Sequence, residues 1–310
     1  VDPSAHARII DVLRTPTPLD LMLLVGLAAI YGSAFTAIKI AVPEIGVYAL
    51  VLCRVVIATL VLLPYALWRG WQWPSSGRTW ALLAMLCLFN LLLPFALVSW
   101  AQLSIDASLM ALLMGAGPLF GLVLSHWATR DDRITWPKLA GVALGFVGVA
   151  FVVGIQAFEG TPQALLAQGA ALLTSMCYAG SGLIVRQIEG IQPTRLAAVV
   201  LAMGSIVLLA GAPFALDSPT EMLARVDQHV VFAVLYLGLV TTGLAYIVRY
   251  RMIRAVGTSY FSLSINLVPV FGIAIAALTL SEPLSFSLLV GLVCILGGLV
   301  IARWKPRPAT

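Results

Sequence analysis

An all-α membrane protein of ten transmembrane helices, built as two inverted five-helix repeats, is predicted by three observations. Of the 310 residues, 61 % are hydrophobic and 10 % charged, where soluble domains run at roughly 45–50 % and about 25 %. The apolar residues fall in runs of about 20, the length at which a helix crosses a bilayer. The second half of the chain echoes the first. A soluble fold is excluded, because no compact core hides this much apolar surface and still leaves polar residues to cover it. The net charge of +5 sits in short loops and forms no basic arm, so the expected partners are the lipid bilayer and a small-molecule substrate, with no nucleic acid.

Ten runs read as spans: 21–40, 47–68, 80–100, 107–127, 136–154, 164–185, 196–216, 230–248, 259–280 and 284–301. Each is apolar on every face and about twice as long as the alternating strand of a membrane barrel. Residues 1–20 form an N-terminal cytoplasmic segment with Pro3, Pro16 and Pro18, unlike a signal peptide. Residues 21–154 are the first repeat, 155–163 a linker, 164–301 the second repeat and 302–310 a cytoplasmic tail. With the N-terminus inside, fifteen Lys and Arg fall in inner segments and only Arg225 in an outer loop, which sets the orientation. Seven of the eight tryptophans gather at the same inner interface, Trp100 alone lying opposite.

The repeat shows in particular residues. Gly117-Pro118-Leu119-Phe120-Gly121, then Gly141 and Gly148, matches Val268-Pro269-Val270-Phe271-Gly272, then Gly291 and Gly298, at offsets of 151 and 150 residues. Tyr31 with Lys39 matches Tyr178 with Arg186 at an offset of 147. Five spans per unit is an odd number, so the second unit runs in the opposite sense, as in many secondary transporters.

With these features the chain resembles the drug/metabolite transporter superfamily, EamA-type branch, through its ten spans, duplicated unit, paired prolines and acidic turns (Asp132-Arg133-Ile134 and Glu282-Pro283-Leu284). It looks most like bacterial inner-membrane exporters of aromatic amino acids. The resemblance implies a multi-pass inner-membrane protein that moves amino acids or similar small metabolites outward by alternating access, without cofactor and without catalysis. Asp132 departs mildly from a pattern that more often has Glu.

The charged residues narrow the mechanism. No Asp or Glu lies within a span, so the embedded carboxylate that usually carries a coupling proton is missing. A loop-edge acid such as Asp106 remains for that role, but movement down the substrate's own gradient needs fewer assumptions. No G-x4-G-K-[ST] motif or long loop accommodates ATP, so no ATPase subunit is evident. Cys53, Cys87, Cys177 and Cys294 lie in separate runs and read as small hydrophobes with no metal role. Gly180-Ser181-Gly182 lacks an embedded His or Asp to make it a nucleophile, which disfavours an intramembrane enzyme. A sugar-phosphate or nucleotide-sugar carrier of the same fold is the nearer alternative; it calls for several deep cations.

Two cations lie inside spans. Lys39 reads either as a snorkelling side chain or as an anion contact. Arg54, about 12 Å along its helix, reads either as an outer ion pair with Glu44 or Asp106, or as a contact for a substrate carboxylate. Midplane counting selects Tyr31, Asn90, Pro118, Tyr178, Thr241, Thr242, Asn266 and Pro269 as substrate-binding or helix-breaking positions, joined by Ser99 and Tyr246. Phe89, Phe95 and Tyr250 are further aromatic candidates. Pro118 and Pro269 break helices, either as packing kinks or as sources of freed backbone groups for the two ends of a zwitterion. The cavity is expected on helices 1, 3, 4, 6, 8 and 9. Helices 5 and 10, with Gly141, Gly145, Gly291, Gly297 and Gly298, are expected to be closely packed scaffold.

Overall fold

The computed structural model describes residues 16–70, 74, 76–128, 135–159, 161–188, 190–216 and 226–302. The terminal segments, Trp71, Trp73, the Asp132 turn and Arg225 lie outside these residues, as do the side chains of Trp127, Tyr250 and Arg254. All regular structure among the described residues is helical. Among the described residues seven helices are long and apolar enough to cross a membrane, and Ser264–Leu280 and Phe286–Ala302 are shorter apolar helices. Phe214, Phe232 and Leu278 stand 91 %, 71 % and 84 % exposed. Apolar side chains turned outward on this scale suit a lipid surround.

Pro18–Trp68 begins with a reciprocal cap, the Thr17 hydroxyl accepting from the Asp20 backbone and the Asp20 carboxylate accepting from the Thr17 backbone, with Pro18 in the first turn. Within it Gly46 takes φ 77°, ψ 167°, a left-handed conformation that a side chain would strain. It divides the run into α1 (18–45) and α2 (47–68), close to the two spans read from sequence.

Four helices follow: α3 (Gly77–Ala101), α4 (Ala107–Met114 continued by Gly117–Ala128 across a turn at Gly115 and Ala116), α5 (Trp136–Glu159) and α6 (Pro162–Val185). The helix of α5 extends through most of the expected 155–163 linker. Ile155 to Glu159 contain no Gly or Pro, so the helix continues through Glu159, and Pro162 opens the next helix. Then come α7 (Pro193–Ala215) and a long run from Gln228 to Leu280. That run does not continue straight. The Arg249 guanidinium lies 5.2 Å from the Phe261 ring, although twelve residues of straight helix advance about 18 Å. Met252, Val256 and Phe261 all cluster with Leu24 and Leu27, and the Ser264 hydroxyl donates to the Leu24 carbonyl. The two limbs are α8 (Gln228–Ile253) and α9 (Ser264–Leu280), followed by α10 (Phe286–Ala302).

Two seams organise the bundle. In the first, a Cβ on Gly141 would overlap the Gly298 carbonyl oxygen, and one on Gly148 would overlap Cys294 with the Gly291 carbonyl oxygen 3.2 Å away. Backbone therefore meets backbone between α5 and α10, as small residues allow in lipid. In the second, α2 meets α7 through the Thr59 and Ser205 hydroxyls, 2.8 Å apart, and through the Tyr48 hydroxyl donating to the Leu208 carbonyl.

Two stretches widen into π-helix: Cys87–Leu92 in α3 and Tyr236–Leu244 in α8, starting 149 residues apart. Pro94 follows the first within two residues; it lacks an N–H and crowds the preceding turn, which favours the wider ladder. The second contains Gly238 and Gly243, whose missing side chains let α8 press against Ile57 and Val61 of α2.

Candidate functional site

The polar residues at mid-bundle converge from several helices. Arg54 sits eight residues past Gly46, inside α2 and half-buried. Its Nε donates to the Thr242 hydroxyl at 2.9 Å, and the face of its guanidinium lies 3.9 Å from the centre of the Phe95 ring. That pairing exists because Gly238 and Gly243 let α8 approach: a Cβ on Gly238 would meet the Arg54 carbonyl oxygen at 3.3 Å. The ion pair with Glu44 or Asp106, one of the two sequence readings, is not what the structure forms. The ionisable groups acting on Arg54 are Tyr178, Tyr246 and Tyr31.

Tyr31 on α1, Tyr178 on α6 and Tyr246 on α8 thus all lie within electrostatic reach of one guanidinium. A second guanidinium joins them, since the Arg249 charge reaches both Tyr31 and Tyr178. Arg249 also lies 5.8 Å from the Tyr246 ring centre and 5.2 Å from that of Phe261. Sequence reasoning missed this residue, assigning it to a cytoplasmic loop. Thr242, Tyr246 and Arg249 follow an i, i+4, i+7 spacing that shares one helix face, and no Gly or Pro follows Gly243 before Gly257. That spacing was the available signal.

Asn90, in the π segment of α3, joins the same neighbourhood. Its amide donates to the Ser181 hydroxyl at 2.6 Å, and that hydroxyl donates to the Tyr178 carbonyl. Thr241, buried, donates back to the Leu237 carbonyl and so satisfies the widened ladder. Ser99 is buried one turn beyond Phe95. Asn266 lies on α9 with a buried amide oxygen that has no protein partner. No hydrogen bond ties Ser99 or Asn266 to the tyrosine cluster among the described residues.

A Cβ on Gly115 would meet the Pro269 ring at 2.7 Å, so the break in α4 nests on α9. Pro118 stands in the first turn of Gly117–Ala128, where its missing N–H costs little. The Leu113 carbonyl at this break accepts from Ser175 and from the Ala116 backbone. Pro269 thus packs into the break in α4, and Pro118 opens the helix that follows that break. Helix 2 therefore contributes to the cluster where helix 4 was expected.

Lys39 acts elsewhere. Its ammonium donates to the Gln102 and Ile105 carbonyls at 3.0 and 2.8 Å, closing the C-terminal end of α3. Nearby, the Glu282 carboxylate accepts from the Ala107 and Ser108 backbone, both at 2.8 Å, and so caps α4. The Asp106 carboxyl beside them is pushed above its ordinary range by burial, with Glu282 adding and Lys39 opposing.

Among the described residues no group of three or more His, Cys, Asp or Glu could hold a metal ion. The four cysteines are unpaired. What the cluster offers is hydrogen-bond donors, aromatic faces and positive charge.

Comparison with known proteins adds identity to this geometry. The model of the EamA-like transporter family matches twice, over residues 19–154 and 165–304. An uncharacterized transporter of Archaeoglobus fulgidus is 24 % identical over 89 % of this chain and 94 % of its own. A probable terminal-alkyne amino-acid exporter of Streptantibioticus cattleyicolor is 23 % identical over 88 % and 90 %. A probable amino-acid metabolite efflux pump of Escherichia coli is 28 % identical over 70 % and 78 %. A crystal structure superposes with a TM-score of 0.65 over 92 % of this chain and 96 % of that one, at 16 % identity, a likeness of fold.

Proposed function

The chain belongs to the EamA-like transporter family, and from that premise we propose that it exports amino acids, chiefly aromatic and other neutral ones, or similar small metabolites. The proposed mechanism is alternating access down the substrate's gradient. Its ten spans form two inverted repeats in the cell inner membrane, with both termini cytoplasmic.

The observation that carries this reading is the convergence of Tyr31, Arg54, Asn90, Tyr178, Thr242 and Tyr246 from both halves of the chain. Polar and ionisable groups at this depth are costly in a bilayer and mark a substrate path. Three further features support duplication, and the last of them supports inversion. The family model matches each half. The π segments fall in the third helix of each unit. Exchanging the halves at an offset of 150 residues sends the Gly141–Gly298 approach onto the Gly291–Gly148 approach, which is also present. The fifteen-to-one distribution of Lys and Arg supports the orientation.

A second reading, a carrier for sugar phosphates or nucleotide sugars, gains from Arg249, the second deep cation. Purified protein in liposomes, tested with amino acids, amines and phosphorylated sugars, separates the two. Neutral aromatic amino acids should show flux well above protein-free vesicles. Asn90→Ala and Tyr246→Ala should each reduce it about tenfold, the scale of one lost hydrogen bond or aromatic contact, while the protein stays folded. Flux confined to phosphorylated sugars supports the carrier reading, and none above background removes transport of these classes.

A further inference from the structure

Arg54 is held as a receptor is held. Its Nε is committed to Thr242 and its face to Phe95, which fixes the guanidinium plane and leaves the outer edge with its two Nη groups. That edge matches the two oxygens of a carboxylate. An embedded guanidinium normally has an anionic partner, and the ionisable groups acting on this one are three phenols.

The same neighbourhood is poorly suited to an ammonium. The ionisable groups acting on Tyr31 are Arg249, Tyr246 and Arg54, and those acting on Tyr178 are Arg54, Tyr246, Cys177 and Arg249. Among the described residues these groups are phenols, a thiol and two guanidinium cations. A substrate ammonium there finds hydroxyls and aromatic faces, together with repulsion from guanidinium charge at low dielectric.

We propose that Arg54 receives the carboxylate of the transported molecule and that an amino group is dispensable for recognition, so that the substrate class is apolar or aromatic monocarboxylates. This rests on the transport reading above and specifies its substrate. Neutral amino acids fall within the class through their carboxyl group. Their deaminated or N-acylated counterparts should be equal or better substrates.

The test compares three molecules in proteoliposomes: phenylalanine, 3-phenylpropionate, which lacks the amino group, and 2-phenylethylamine, which lacks the carboxyl group. Flux of 3-phenylpropionate should equal or exceed that of phenylalanine, and 2-phenylethylamine should stay at the protein-free level. Arg54→Gln should lower flux of both carboxylates by about ten- to a hundredfold, the scale of a lost charged hydrogen bond. Arg54→Lys should restore part of it. Thr242→Val should raise the apparent KM several-fold with little change in maximal rate. If Arg54→Gln does not fold, the wild-type series decides alone. Transport of the amine at the rate of phenylalanine, failure of 3-phenylpropionate where phenylalanine succeeds, or unchanged flux in a folded Arg54→Gln protein overturns the assignment and leaves transport standing. Absence of flux for every compound in the wider panel overturns both.

Discussion

Lys39 and Arg195 each close the C-terminal end of a helix. The Lys39 ammonium holds the Gln102 and Ile105 carbonyls after α3, and an Arg195 Nη holds the Arg69 carbonyl after α2 at 3.2 Å. A cation there meets the negative end of the helix dipole and carbonyls that lack intrahelical partners. Lys39→Met removes the donor and strands those acceptors, so the protein should lose roughly 1–3 kcal/mol of stability. Thermal unfolding in detergent would show the loss, and the KM for substrate in reconstituted protein should not move. A raised KM would instead make Lys39 an anion contact. Apolar surroundings are legible in the sequence for Lys39 and Arg54 alike, but their partners come from residues 63 and 188 positions away. Local pattern carries no such information, and for that reason two readings of each stood open.

At the scale of elements, α8 shows how a small departure from regular helix places a side chain. Its π segment holds one end against α1, where Tyr236 and Ser33 share a hydrogen bond of 2.6 Å, and the other against α2, where Thr242 meets Arg54. Regular α-helix between Tyr236 and Thr242 would change their relative rotation, because each residue turns the chain by about 100°. Deleting Leu239 should therefore break one contact or the other. We expect helical circular dichroism to be retained and flux to fall more than tenfold. Undiminished flux would show that the widened turn is incidental to transport. Helix positions were legible within a few residues because span length and apolar runs determine them. Neither π segment was legible, since the widening arises from crowding at Pro94 in one case and from close approach of α2 in the other. Arg249 was hidden for a related reason: a positive charge near a predicted span end fits an interface as readily as a site.

For the whole molecule, packing of α5 on α10 follows from glycine placement that the sequence displays openly. The Gly141, Gly148, Gly291 and Gly298 pattern predicts close helix contact, and the structure places backbone against backbone there. Gly141→Ala must push the helices apart, at a cost of roughly 1–3 kcal/mol. Gly154→Ala, on the same helix with open space at its Cβ, should be neutral or gain up to about 1 kcal/mol from helix propensity. Thermal midpoints of the two variants test the difference; equal midpoints would mean that the seam yields freely. The core interleaves alanines such as Ala28, Ala58 and Ala111 with large residues such as Leu50, Leu112 and Leu237, so cohesion depends on close approach as well as on side-chain bulk.

The glycine seam has a consequence for how such a chain is assembled. Gly141 facing Gly298 and Gly148 facing Gly291 describe a surface that is its own complement, the relation found where two identical subunits meet across a two-fold axis. Here the two matching halves are joined by a peptide linkage, which makes the pairing intramolecular and independent of concentration. On the proposed inverted repeat, a five-helix half freed from that linkage would find, in an oppositely inserted copy of itself, the partner it now finds in the remainder of its own chain.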